Sequence, residues 1–506
     1  MGVIDSMIDN LFMGFSEIFE LAPILAISFG VFLGLVVGAT PGINDTVTMA
    51  VLIPITFGMP NNISLPILIG VYVSACYGGS IPAILLKIPG TVASIVTSID
   101  GSALSRKGES ELAIGISTYS SVFGGILSSL VLVFLAPFLA RKALLIGPPE
   151  YFALGILGIA ATSGMAKNII KGLIVGIMGL LFSTIGLSDQ LGFYRFGFGS
   201  LYLLDGIQLI PLMIGLFGIS SLLESSFTHL DNLRNNNVNI NMTKFINNTK
   251  KLFLTSKMIK RLFPTWIISG IIGNIVGIIP GAGQTMGTFL AYNFSKNMNP
   301  KKEFGTGVPE GIAAPETANN AVVASSMVPL LSLGIPGNAT SAIFIGALMI
   351  QGLRPGPLLF RDNPEIAYMM VAGFLVANIF MGPFGLLLGK TIATTLAKIP
   401  IEILNGLIMA ICVTSCYAIN SNIDDLWVMI FFGGLCYLLI KLGYPSAPLI
   451  LGVILGPMIE NSLWQSLSMS RGHINIFFTR PLCLFILILA VMLFVSPLFL
   501  NRKFKN

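Results

Sequence analysis

The sequence predicts an all-α polytopic membrane protein of roughly 12 spans, arranged as two inverted-topology repeats containing broken or re-entrant helices. Three observations predict it. Of 506 residues, 54% are hydrophobic and only 10% charged, against about 25% charged in an ordinary soluble domain. The apolar blocks recur at lengths suited to a bilayer, which needs about 20 residues per helix. Two glycine-proline breaks, Gly38-Ala39-Thr40-Pro41-Gly42 and Gly277-Ile278-Ile279-Pro280-Gly281, interrupt such blocks at matching places in the two halves. Proline and glycine free backbone groups that lipid cannot satisfy, so these breaks survive only against protein or a polar cavity. A matched pair points to the binding site of a secondary transporter.

Along the chain, residues 1–227 read as the first membrane repeat. Residues 228–261 read as a cytoplasmic linker, with seven Lys/Arg and one acidic residue, Asp231. Residues 262–480 read as the second repeat, and 481–506 as a C-terminal span with a basic tail. The breaks lie 239 residues apart, and the triplets Ile88-Pro89-Gly90 and Ile335-Pro336-Gly337 lie 247 apart. Charge indicates relative orientation. Nothing before Lys87 is basic, whereas the second break is flanked by Lys257 to Arg261 and Lys296 to Lys302. Cytoplasmic loops collect Lys and Arg, which favours an inverted pair, the first break facing outward and the second inward, over two ordinary kinked spans. The first 20 residues lack a basic n-region, and no cleavable signal is read.

Composition also excludes functions. The net charge of +6 follows the loops and is no nucleic-acid signal. The five cysteines lie in apolar surroundings; Cys412 and Cys416 share a helix face without His or Asp and read as packing. No P-loop is present. His229 and His473 are isolated, and Asp424-Asp425 is a lone acidic pair. No enzyme, cofactor or certain metal site is expected.

Five segments could carry chemistry. Pro41, Gly42, Asn44, Asp45 and Thr46 place hard oxygen ligands after a backbone break, suited to Na⁺ near Asp45 or to a proton. Asn44 or Asp45 could equally cap the helix that follows. Ser80, Lys87, Pro89, Gly90 and Thr91 form a second broken segment. There Lys87 neutralises a carboxylate or snorkels to the interface. Pro280, Gly281, Gly283 and Gln284 mark the second break. Further on, Glu316, Asn319 and Asn320 fall at i, i+3, i+4 and share a helix face. They read as an ion or substrate contact, or as a capped surface helix start. Pro336, Gly337 and Asn338 close the set, where amides and hydroxyls can hold carboxylates without a buried charge.

In order, these motifs resemble the large membrane subunit of the tripartite tricarboxylate transporters, the TctA family. The resemblance runs over Gly34/Gly38 to Gly42, Pro54 to Gly58, Tyr77 to Gly90, Asp100-Gly101, Arg106 to Gly108 and Gly147 to Phe152. It continues over Gly277 to Gly283, Phe304 to Ala321, Leu333 to Gly337 and Pro355 to Pro357. The family usually carries Asn where this chain has Lys87, and Tyr-Pro in place of Ser102-Ala103. The resemblance implies a bacterial inner-membrane permease importing an organic carboxylate, driven by Na⁺ or H⁺. Its implied partners are a small membrane subunit and a periplasmic substrate-binding protein. A passive carboxylate channel, a membrane enzyme and a structural scaffold are the rival readings.

Overall fold

The computed structural model describes residues 2–40, 43–164, 168–188, 190, 192–234, 252–396 and 399–503. Among them, nine helices are long and apolar enough to cross a membrane, and four shorter apolar helices accompany them. The protein is a multi-pass helical membrane protein. Pro41 and Gly42, and residues 235–251 of the expected linker, lie outside the described residues.

In the first half, α1 (Gly2–Ile18) and α2 (Leu21–Gly38) lead to the first break, and α3 (Asp45–Leu52) follows it. α4 (Asn61–Gly78) passes almost directly into α5 (Ser80–Leu86), then α6 (Ser94–Arg106). α7 (Ser110–Ala143) is the long central helix, followed by α8 (Pro148–Gly164) and α9 (Ile169–Ser183). A short antiparallel hairpin, β1 (Gly186–Leu187) with β2 (Tyr194–Arg195), precedes α10 (Leu209–Met213), a π-helical turn at Ile214–Ile219 and α11 (Ser220–Arg234).

The second half opens with α12 (Ser256–Ile278), so residues 256–261 of the expected linker belong to this helix. Across the break, Ile279 is extended and α13 (Gly283–Met298) restarts. Next come α14 (Pro309–Ser325), α15 (Met327–Leu333), α16 (Ala339–Ile350) and α17 (Pro357–Asp362). α18 (Pro364–Leu396), α19 (Ile401–Asn420), α20 (Ile423–Lys441), α21 (Ala447–Met469), α22 (Ile476–Thr479) and α23 (Pro481–Lys503) complete the chain.

Polar side chains fix how the halves meet. α4 and α14 run antiparallel: Tyr72 Oη lies 3.0 Å from Ser326 Oγ, Asn319 Nδ2 donates to the Cys76 carbonyl at 3.2 Å, and Ser80 Oγ donates to Glu316 at 2.6 Å. α7 and α18 are also antiparallel, with Lys390 Nζ on Glu111 at 2.6 Å at one end and Asn378 Nδ2 on Ser129 Oγ at 3.3 Å further along. Hydrogen bonds and small residues draw helices together where the surroundings supply no hydrophobic drive.

The two Ile-Pro-Gly triplets pack alike. A Cβ on Gly90 would lie 2.7 Å from both the Gly38 carbonyl oxygen and Gly79 Cα; a Cβ on Gly337 would lie 2.6 Å from the Gly277 carbonyl oxygen and 2.8 Å from Ser326 Cα. Each triplet therefore presses its glycine on the helix end that precedes a break. The residue three before each glycine is left-handed: Lys87 at φ 59° and Gly334 at φ 75°. Lysine tolerates this poorly, because its Cβ crowds the backbone there.

Candidate functional site

The site is built by helix starts. α3 begins after the first break, with Asn44 as its N-cap accepting from the Val47 N–H at 2.8 Å. α16 begins after the second triplet, and Asn338 caps it in the same way, accepting from the Ser341 N–H at 2.7 Å. α13 starts after the second break without a side-chain cap. α6 starts just after the first triplet, where Thr91 and Ser94 bond reciprocally. The first N–H groups of any helix have no partner within it and carry partial positive charge.

All four starts line one cavity of about 260 Å³. Asn44, Asp45 and Thr46 contribute from α3; Thr91, Val92 and Ala93 lead into α6. Gly281 to Thr285 supply the start of α13, and Asn338 to Thr340 that of α16. Thr162, Ala447 and Leu451 close the wall. No Lys or Arg lines it among the described residues. The cavity thus offers an anion aligned amides and hydroxyls rather than a cationic side chain.

Asp45 is the exception in charge. It is 5% exposed. Its Oδ2 accepts from Thr340 Oγ1 at 2.6 Å, Gln284 Nε2 at 3.2 Å and Cys76 Sγ at 3.5 Å. Oδ1 accepts no bond among the described residues. Thr46 Oγ1 sits 2.9 Å from Thr340 Oγ1. Gln284 lies 239 positions after Asp45, the interval that separates Pro41 from Pro280. Positions at the same offset from the two breaks therefore meet across the cavity, one as carboxylate and one as amide.

Glu316 stands apart. It is fully buried and does not line the cavity. Its Oε1 accepts from Ser80 Oγ at 2.6 Å and from Thr97 Oγ1; Oε2 accepts from Ser117 Oγ at 2.8 Å and Ser121 Oγ at 3.0 Å. Four donors match the four lone-pair sites of an ionised carboxylate. One side chain of α14 thereby ties α5, α6 and α7 together.

The sequence-derived candidates thus separate. Asn44, Asp45, Thr46, Thr91, Gly281, Gly283, Gln284 and Asn338 line the cavity. Pro89, Gly90, Pro280, Pro336 and Gly337 shape the backbone beside it. Glu316 and Ser80 meet behind it, with Asn319 on the Cys76 carbonyl and Asn320 Nδ2 on the Glu316 carbonyl at 3.3 Å. Lys87 is exposed at the end of α5 and is not in the cavity wall. Sequence reasoning missed Thr162, which carries no local signal, and the partnership of Thr340 with Asp45. It also missed Asp100, whose Oδ1 accepts from the N–H groups of Gly305, Gly307 and Val308, each at 2.8 Å, and so holds the loop that leads into α14. Beside it Glu310 accepts from Arg261 Nε and Lys302 Nζ, both at 2.7 Å. Burial alone would raise the Glu310 carboxyl, but these two cations hold it below its ordinary value.

Comparison with known proteins decides the family. Residues 24–451 match the model of the Tripartite tricarboxylate transporter TctA family. This chain belongs to the TctA family. A relative from Agrobacterium vitis, described as "Uncharacterized 52.8 kDa protein in TAR-I ttuC' 3'region", is 36% identical over 503 residues, 99% of this chain and 98% of its own. A second A. vitis relative, "Uncharacterized protein in TAR-II ttuC' 3'region", is 36% identical over 237 residues, 46% of this chain and 97% of its own. No solved structure matches. As a TctA member, the chain is a membrane component of a tricarboxylate transporter family.

Proposed function

We propose that this chain is the ion-coupled permease subunit of a tripartite system in the bacterial inner membrane. It takes a small organic carboxylate, a tricarboxylate or similar, from a periplasmic binding protein and works with a small membrane subunit. The observation that carries the reading is the convergence of four helix starts on a cavity that no Lys or Arg lines among the described residues. Each start favours an anion by about 0.3–1 kcal/mol, and by up to about 2 kcal/mol when partly buried. Such binding is firm yet reversible, as a transporter requires. Asp45 would repel a lone anion, so it serves the coupling cation, Na⁺ or H⁺, through the oxygen left free. The antiparallel courses of α4 against α14 and of α7 against α18 support two halves of inverted topology. They favour alternating exposure of the central cavity to the two sides.

The test is uptake of radiolabelled carboxylates into proteoliposomes holding this chain, the small subunit and the binding protein. Accumulation above the equilibrium gradient, driven by an imposed Na⁺ or H⁺ gradient, is expected. Asp45→Asn should weaken the ion dependence, and Thr46→Val with Thr340→Val should raise the half-saturating substrate concentration. Uptake that only equilibrates would identify a channel. Unchanged kinetics in all these variants would overturn the site.

A further inference from the structure

A second, larger cavity of about 440 Å³ lies beyond the central one. The hairpin β1–β2 and the loop after it form one wall; the C-terminal end of α16, at Met349, and α21 from Val453 to Asn461 form the other. The central cavity uses the N-terminal ends of the same two helices, at Ala339-Thr340 and at Ala447 and Leu451. On α21 the two cavities come within one turn, between Leu451 and Val453–Ile454, roughly 3–4.5 Å along the axis. Leu451, on the central cavity, and Val453, on the second, are both buried.

Arg195 is the basic residue of this second cavity. Its Nη1 and Nη2 donate to Glu460 Oε1 and Oε2 at 2.7 and 3.1 Å. The side chains are 20% and 24% exposed. Gln190 Nε2 on Asn461 Oδ1 at 2.9 Å makes a second link between hairpin and α21. Arg195 Nε is buried and has no partner among the described residues. Unpaired buried donors are rare and costly, so the end-on pairing with Glu460 leaves this guanidinium short of what it can bind. A guanidinium holds any carboxylate through the same planar fork. Asp205 stands exposed at the rim, where solvent screens it.

We propose that this cavity is a second carboxylate-binding site, an antechamber to the central cavity, in which a substrate carboxylate replaces Glu460 on Arg195. Glu460 occupies the place of the substrate group and holds the hairpin on α21. Arrival of the substrate exchanges one ion pair for another. It loosens the hairpin from the helix along which the two cavities approach one another. This inference rests on the carboxylate-transport reading of the central cavity.

The experiment is equilibrium binding of radiolabelled citrate, tricarballylate, malate and succinate to the purified chain with its small subunit in lipid nanodiscs. Two sites are expected for at least one probe. Arg195→Gln should weaken one of them about tenfold or more, the loss of a charge-assisted pair, and leave the other unchanged. Glu460→Gln should tighten that same site by removing the competitor. Thr46→Val with Thr340→Val should affect only the other site. A single site that Arg195→Gln leaves unaltered but the threonine pair weakens would overturn the antechamber and leave the proposed function standing. Equal weakening by Arg195→Gln and Glu460→Gln would also overturn it, marking the pair as a mere staple. Absence of binding by every probe would overturn the carboxylate reading of both cavities.

Discussion

Replacing Glu316 with alanine should destabilise the protein more than any conservative surface change. The mutation strips the common acceptor from four buried hydroxyls, those of Ser80, Thr97, Ser117 and Ser121. A buried polar group without a partner costs about 1–3 kcal/mol. Some loss is recovered, because helical serines can turn to the carbonyl four residues back, as Ser74 and Ser129 do at 2.7 and 2.8 Å. Removing the carboxylate also returns part of its own desolvation cost. About 2–4 kcal/mol of destabilisation remains, at the upper end of ordinary point substitutions. Glu316→Gln keeps one carbonyl oxygen for two of the hydroxyls and should cost roughly half as much. The assay is thermal unfolding in a fixed detergent, followed by tryptophan fluorescence. Trp266 is a local reporter, since its indole N–H donates to Ser120 Oγ at 2.7 Å on the same helix as Ser117 and Ser121. Melting of Glu316→Ala indistinguishable from wild type would refute the four-hydroxyl knot, as would equal melting of the Ala and Gln variants.

Gly337→Ala and Gly90→Ala should each cost about 1–3 kcal/mol by overpacking and abolish uptake. Their Cβ atoms would press on backbone at 2.6–2.8 Å, whereas Gly434→Ala, inside α20 with nothing within 4 Å, should melt no lower than wild type. Lys87→Gly should stabilise by about 1 kcal/mol, because glycine accepts the left-handed backbone that lysine strains to adopt; uptake kinetics should not change, and melting with transport assays checks both. The Glu310 carboxyl is held below the ordinary 4.5 by Arg261 and Lys302. It therefore contributes stability above that pH and loses it as pH falls through the lowered folded value. Wild-type melting should drop below pH 4.5, and Glu310→Gln should flatten the drop in parallel scans.

Much of the architecture was legible from residue order. Apolar blocks and their breaks are local properties, so the helical membrane class and the interruptions near Gly38 and Gly277 followed from composition and from proline and glycine chemistry. The broken segments also named about half of the cavity wall, because a helix that starts inside a membrane must present its first amides to something polar. The i, i+3, i+4 argument placed Glu316, Asn319 and Asn320 on a common buried face. It could not say that Glu316 turns away from the cavity toward serines of α7. Lys87 illustrates the reverse: its charge drew attention, while its position is set by a left-handed helix end.

Sequence alone carried the membrane class, the two breaks and the family, since each is written in short stretches whose physics needs no distant partner. The joining of Asp45 to Thr340, 295 positions later, belongs to the packed molecule. So do the four hydroxyls on Glu316 and the approach of the two cavities along α21. Such pairings depend on how helices cross and at what height they meet. Crossing and height are set by summed packing over the bundle, which leaves no mark on the residues it brings together.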